Sequence, residues 1–456
     1  MLFEDGRLGQ IAIFALVQIA LMKPLRHFEN LDALRFIAFF SVFCLHMVSF
    51  GLYYNGEDWY QWIETSLIRN GDLGVNFFFT LSGFLITNLL IQEKEDDGKI
   101  NILGFYARRF LRIWPLYFVL IITGFVIIPL FLNAYPQFNP FSDYYSLIPY
   151  DRIWYYLLFL ANFDLVNYAY PIPVLAILWS ISVEEQFYIF WPVLFTLVPR
   201  KYMIYALFAV LIGAATYRFF QWNEVAYLFN TYQLGNVDVP HPPDVVSQFN
   251  QLNQQATLST RFHTLSIFSD IAMGALLAFG LYYYQGVRDY FTNLPRKSIV
   301  LPYIAAIVLV TIRETTYSLR FYSIIQWVNA IEPALFSFIF AFIVGEQNYS
   351  RESFYKFGKL KFISALGKFS YGLYIWHLVV IWTVFFLFKA LNLQPEVDNP
   401  WVFLSQIILC FAGTVGLAWL SYHYIEMPFL RFRNRFRSNR NRDYFTGEKG
   451  EISRPE

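Results

Sequence analysis

Leu31-Asp-Ala-Leu-Arg35-Phe-Ile-Ala-Phe-Phe-Ser-Val-Phe-Cys-Leu-His46-Met-Val-Ser-Phe50 is an apolar run with only three titratable side chains, Asp32, Arg35 and His46, apart from a single cysteine. A helix needs about 20 such residues to cross about 30 Å of hydrocarbon, and residues 33–54 meet that length. Comparable runs recur at 72–92, 106–132, 176–198, 203–220, 265–285, 298–313, 324–345, 366–390 and 402–425. Because hydrocarbon offers no hydrogen-bond partner to the backbone, long apolar runs of this kind must satisfy their own N–H and C=O groups as helices. The sequence therefore predicts an all-α polytopic membrane bundle of about ten transmembrane helices.

Composition agrees. Hydrophobic residues make up 57% and aromatic residues 21% of the chain, against 15% charged, where soluble domains carry roughly 25% charge. With a net charge of +1, no basic surface for nucleic acid is implied. Cys44 and Cys410 both lie in apolar stretches and read as small buried side chains, so neither a disulfide framework nor a cysteine metal site is expected. Met1 to Gln10 contains Glu4 and Asp5 beside Arg7, unlike the basic start of a cleaved signal. Residues 11–22 are short for a span and end at Lys23-Pro24, so residues 1–29 read as an N-terminal extension holding an interfacial helix or a mis-assigned start.

Lys and Arg collect on alternate connections, as orientation by positive charge requires. Clusters stand at Lys94 and Lys99, at Arg200 and Lys201, at Arg288, Arg296 and Lys297, and from Arg351 to Lys361. The intervening connections hold only Arg69, Arg152, Arg261, Arg313 with Arg320, and Lys389. Six arginines between Arg431 and Arg442 favour a cytoplasmic end for the tail, residues 431–456. With ten spans, both ends of a single membrane domain, residues 30–430, are then cytoplasmic. Ile153 to Phe163 is too short to cross and reads as a re-entrant or surface helix. Residues 221–261, with the polar stretch Gln248 to Gln255, read as the longest outside connection, either an ordinary solvated loop or a cover for a site.

A titratable group at the centre of a span costs at least about 2.5 to 3.5 kcal/mol, so each such group needs an interior partner or a function. Arg35 and His46 are eleven positions apart, which returns to within about 20° of the same helix face and rises about 16 Å. His46 falls near mid-membrane, and imidazole is the side chain best suited to taking a proton from a hydroxyl near neutral pH. In Phe105-Tyr-Ala-Arg-Arg-Phe-Leu-Arg112-Ile-Trp-Pro115, the residues Arg108, Arg109 and Arg112 share one helix face. They suit either lipid phosphates or the phosphates of a bound ligand. Trp179-Ser-Ile-Ser182-Val-Glu184-Glu185-Gln186-Phe-Tyr188 carries adjacent carboxylates that point about 100° apart, so they cannot serve one atom as a dyad. Ser370-Tyr371-Gly372-Leu-Tyr374-Ile-Trp376-His377 adds a second deep histidine, and Glu426 in Tyr424-Ile-Glu426-Met-Pro428 reads as the partner of a cytoplasmic arginine. Arginines at the cytoplasmic third with histidine and carboxylate at mid-depth fit a cytoplasmic anionic donor reaching a central base. A transporter or flippase of a glycan precursor uses the same residue types, and a non-catalytic scaffold is a third reading.

Taken in order with Val75-Asn-Phe-Phe-Phe-Thr-Leu-Ser82-Gly83-Phe84-Leu-Ile-Thr87, these segments resemble acyltransferase family 3, membrane O-acyltransferases of cell-surface carbohydrates. The resemblance runs from about Asn30 to Arg431. It implies transfer of an acyl group, commonly acetyl, from cytoplasmic acyl-CoA to a hydroxyl of a carbohydrate or glycolipid outside an inner membrane. It implies catalytic roles for His46 and for the family carboxylates Glu184 and Glu185, one of which would hold the imidazole, and roles for Arg35, Arg109 and Arg112 in holding acyl-CoA, with Arg108 and His377 as further candidates. No metal and no permanently bound cofactor is expected, acyl-CoA being a substrate. Some members append a hydrolase-like domain outside the membrane, for which no room is expected after the last span. Either general-base catalysis by His46 or transient acylation of its ring fits the sequence.

Overall fold

The computed structural model describes residues 28, 30–49, 58–135, 150–169, 173–236, 238–316, 319–391 and 399–433. The expected interfacial helix within residues 1–29 and the tail beyond Arg433 lie outside the described residues. Every regular element among them is helical. The long helices are α1 (Leu31–Ser49), α2 (Leu73–Asp97), α3 (Ile102–Ile122), α4 (Leu178–Leu197), α5 (Arg200–Thr231), α6 (Pro243–Phe262), α7 (Thr264–Tyr283), α8 (Arg296–Thr316), α9 (Ile325–Tyr349), α10 (Ser370–Ala390) and α11 (Pro400–Ser421).

Nine helical segments among the described residues are long and apolar enough to cross a bilayer. A tenth is reached if Gln285–Thr292 and Arg296–Arg313, bent by 91°, form one span. The chain is thus a multi-pass membrane protein, and nine of the ten expected runs return as straightforward spans. The seventh run is the broken one: Pro295 at the break removes a backbone donor, and Arg296 and Lys297 follow it directly. Ile153 to Phe163 does not cross, forming instead the short helices Ile153–Leu157 and Ala161–Tyr168.

The described residues form two compact units. The first draws on the described residues within 28–45, 58–96 and 198–370. Its core joins Leu31, Leu34 and Ala38 of α1 to Phe77, Leu81 and Phe84 of α2, and to Ala278 and Leu281 of α7. Here α2 and α7 cross almost backbone to backbone. A Cβ on Gly83 would stand 1.9 Å from the Ile271 carbonyl oxygen, and one on Gly274 would stand 1.8 Å from that of Thr80. Small residues at such crossings let membrane helices pack without an aqueous driving force.

The expected outside loop at 221–261 is largely helix, which corrects the reading of a solvated loop. At 32 residues, α5 is about 48 Å long, well beyond the hydrocarbon thickness. Its last turns present Trp222, Val225 and Ala226 to Ala256, Phe249 and Leu252 of α6. The glutamines that suggested a loop occupy the opposite, exposed side of an amphipathic helix, a 3.6-residue period masked by its high amide content.

Deep in this unit lies a charge that sequence inspection passed over. Arg218 on α5 is 1% exposed. Its Nε donates to the Asn329 carbonyl (3.0 Å), Nη2 to that of Ala330 (3.2 Å), and Nη1 to the Ser266 carbonyl (2.7 Å) and Ser269 Oγ (2.9 Å). The cause is Pro333, four residues after Asn329 inside α9. Proline has no N–H to give the Asn329 carbonyl, and the guanidinium takes its place. Asp270, within electrostatic reach of Arg218, accepts from Asn76 Nδ2 at 2.6 Å and from Ser337 Oγ.

A second ionic cluster ties the start of α2 to α6, α8 and α9. Arg313 holds Asp72 with two nitrogens (2.7 and 3.1 Å) and Glu332 through Nε (2.7 Å), while Arg261 donates to Asp72 at 2.9 Å.

Replacing Arg218 with Met is expected to lower stability by about 3 kcal/mol or more, because it strands Asp270 and three carbonyls. Adding Pro333→Ala, which restores the missing N–H, should recover about 1 kcal/mol. Thermal unfolding of the purified single and double variants in detergent measures this coupling; strictly additive effects would refute it.

Candidate active site

The second unit draws on the described residues within 46–49, 97–197 and 371–433, and it gathers six of the expected site residues: His46, Arg109, Arg112, Glu184, Glu185 and His377. Arg108 is here too, half-buried on α3. Arg35 belongs to the first unit, where it pairs with Asp32 one turn earlier on α1.

Local sequence sets each position. Asn101 caps α3, its Oδ1 accepting from Gly104 N–H at 2.9 Å, as an N-cap amide does. This fixes the start of the helix on which Arg109 and Arg112 stand one turn apart. Arg109 is partly buried, its guanidinium 5.4 Å from the Tyr188 ring and 5.6 Å from the Phe105 ring, close enough for cation–π attraction. Arg112 is exposed and within electrostatic reach of Glu426. Glu426 ends a π-helical stretch, Tyr422–Glu426, that continues α11, and Gly372 permits its approach: a Cβ there would meet Glu426 Oε1 at 3.3 Å.

The two carboxylates of α4 part company, as 100° of helix rotation requires. Glu185 is buried and accepts from Trp114 Nε1–H at 2.9 Å. Glu184 is half-buried and within electrostatic reach of Arg109 and Tyr374. Trp114 is fixed in turn by Phe110 and Phe159, whose ring centroids lie 4.4 and 4.9 Å away.

Along α10 the residues Tyr371, Tyr374 and His377 follow one another at intervals of three, a slowly winding stripe on one side of the helix. Tyr371 donates to the Ile113 carbonyl of α3 at 2.7 Å. Tyr374 pairs with Ser180 (2.8 Å), whose own hydroxyl donates to the Ile177 carbonyl (3.0 Å), so the tyrosine hydroxyl is the donor of that pair. His377 is completely buried, and its Nδ1 lies 2.5 Å from the Tyr374 carbonyl. A carbonyl only accepts, so Nδ1 carries the proton of the neutral ring and Nε2 keeps the lone pair. The His46 ring sits 5.2 Å from that of His377. Two histidines from segments 331 positions apart in sequence are thus brought side by side.

The short helices after residue 150 brace this unit. Asp164, fully buried, accepts from Arg152 and from Tyr156 Oη, each at 2.8 Å. Gln186, next to Glu185, donates to the Phe159 carbonyl at 2.8 Å and to Asn162 at 2.9 Å. Sequence reading did not assign roles to Trp114, Ser180 or Tyr374. The available signal was spacing, since Tyr374 precedes His377 by three and Trp114 follows Arg112 by two. No cluster of three or more potential metal ligands occurs among the described residues.

The family described as an acyltransferase domain matches residues 28–423, which includes every one of these side chains except Glu426. The chain belongs to acyltransferase family 3. It is similar to the O-acetyltransferase OatA of Staphylococcus aureus, with 27% identity over 411 residues covering 88% of this chain and 57% of that protein. It is also similar to the peptidoglycan O-acetyltransferase OatA of Listeria monocytogenes, with 26% identity over 432 residues covering 92% of this chain and 59% of that protein. The chain therefore spans somewhat more than half the length of these curated relatives. No solved structure matches it.

Trp114→Phe keeps the aromatic packing and removes the only proton donor that Glu185 Oε2 has on this ring. Melting of the purified variant is expected to show a loss of about 1 to 3 kcal/mol; an unchanged transition would mean that the Trp114 bond contributes nothing.

Proposed function

We propose that this family member is a transmembrane O-acyltransferase that carries an acyl group, acetyl by preference, from cytoplasmic acyl-CoA to a hydroxyl of a cell-surface or exported carbohydrate. The observation that carries the proposal is the contact of the half-buried His46 ring with the fully buried His377, in the same unit as Arg109 and Arg112. The names of the relatives support an acetyl donor group, and one of them supports a peptidoglycan-like acceptor. The alternating positive charge supports an inner-membrane placement with both ends of the membrane domain cytoplasmic.

In this reading Arg109 and Arg112 hold the phosphates of the donor, and its pantetheine arm extends toward His46. His46 removes the proton from the acceptor hydroxyl as the oxygen attacks the thioester carbonyl. The carbon–sulfur bond breaks, the thiolate of CoA takes the proton from the imidazolium, and the ester and free CoA remain. His377, locked as its Nδ1–H tautomer by the Tyr374 carbonyl, is a positioning residue beside that base. Glu184, near Arg109 and Tyr374, balances charge between the two ends of the path.

His46→Ala should cut O-acylation of surface polysaccharide at least about 100-fold, the usual scale for a lost general base, with protein level and acetyl-CoA binding retained. Arg109→Ala and Arg112→Ala should instead weaken acetyl-CoA binding. Mass spectrometry of the polysaccharide and equilibrium binding to purified protein measure these outcomes. Full acylation by a well-folded His46→Ala protein would overturn the proposal.

A further inference from the structure

Glu185 presents an imbalance that the fold leaves unresolved. The residue is 5% exposed. Its Oε2 accepts from Trp114, but among the described residues its equally buried Oε1 has no hydrogen-bond partner. The hydroxyls around it are committed elsewhere: Tyr371 donates to the Ile113 carbonyl and Tyr117 to the Tyr156 carbonyl at 2.7 Å. Arg109 is near enough to act on Glu185 electrostatically while its guanidinium lies over Tyr188. A buried oxygen left in this way costs free energy in the unliganded protein. Its position gives that cost a use, since Glu185 stands on α4 among the groups that connect the arginines of α3 to the histidine stripe of α10.

We infer that Glu185 Oε1 is a binding group for the donor, accepting the N–H of an amide in the pantetheine arm. This rests on the acyl-CoA reading above. Pantetheine is a mostly apolar chain interrupted by two secondary amides, and an amide N–H passing through a buried channel requires an acceptor. A carboxyl oxygen already oriented by Trp114 supplies one, and the bond is charge-assisted when the group is ionised. The assignment also separates the two family carboxylates: Glu185 reads the arm of the donor, and Glu184 remains with Arg109 and Tyr374.

The test uses the purified full chain and three probes: acetyl-CoA and two analogues in which one or the other pantetheine amide is replaced by an ester, exchanging N–H for oxygen. The unmodified protein should bind one of the analogues about 10- to 100-fold more weakly than acetyl-CoA, the range expected for a hydrogen bond to a charged group. In Glu185→Ala that preference should collapse to less than about 3-fold, since the acceptor is gone. Glu185→Gln, which keeps a neutral oxygen, should fall between. Equal binding of all three probes by the unmodified protein, which needs no variant to fold, would overturn the assignment. So would an undiminished preference in Glu185→Ala. If acetyl-CoA itself does not bind, the donor reading fails and takes this inference with it; if acetyl-CoA binds without discrimination, only the role of Glu185 fails.

Discussion

A polar group placed in hydrocarbon has no water to fall back on, and the way this chain meets that constraint organises the molecule. Arg218 shows it most completely. Four of its contacts go to three carbonyls and a hydroxyl, and two of those carbonyls belong to the stretch of α9 just before Pro333. A proline that breaks a helix ladder and an arginine that would be intolerable alone each supply what the other lacks. Asp270, Asn76 and Ser337 complete the set, so the first unit holds opposite charges at depth with every guanidinium nitrogen hydrogen-bonded.

The second unit follows the same constraint with a different outcome. Its charges are less fully matched by neighbours: Arg112 is exposed, Arg109 rests on aromatic faces, and one oxygen of Glu185 lacks a partner among the described residues. Incomplete satisfaction is costly in a structural core and useful in a site that receives a polar ligand. The contrast sets the enclosed arginine of α5 apart from the arginines of α3, although both are cations on long apolar helices.

Precision in the second unit comes from bracing rather than from numerous ionic bonds. Ser180, Tyr374 and the Tyr374 carbonyl fix the ring of His377, and Trp114 fixes one oxygen of Glu185. Gly372 lets the last span approach α10 closely enough for Glu426 to reach the level of Tyr371. Such supports matter because a reacting group displaced by an ångström loses much of its effect.

The sequence by itself determined the membrane class and nearly every span, because the length and apolarity of a crossing segment are local properties. The separation of Glu184 from Glu185 and the shared face of the α3 arginines were equally legible, being consequences of helical periodicity. Local pattern failed where amides outnumber apolar residues, between Gln248 and Gln255 of α6, whose packed face is recognisable only against α5. It also failed at Arg218, two of whose partners are carbonyls just before a proline more than a hundred positions away. Tertiary structure alone decided that His46 meets His377, that Trp114 occupies one side of Glu185, and that Ser180 holds the Tyr374 hydroxyl. These are contacts between helices remote in sequence, and hydropathy, which records how deeply a residue lies, carries no information about which helix lies beside it.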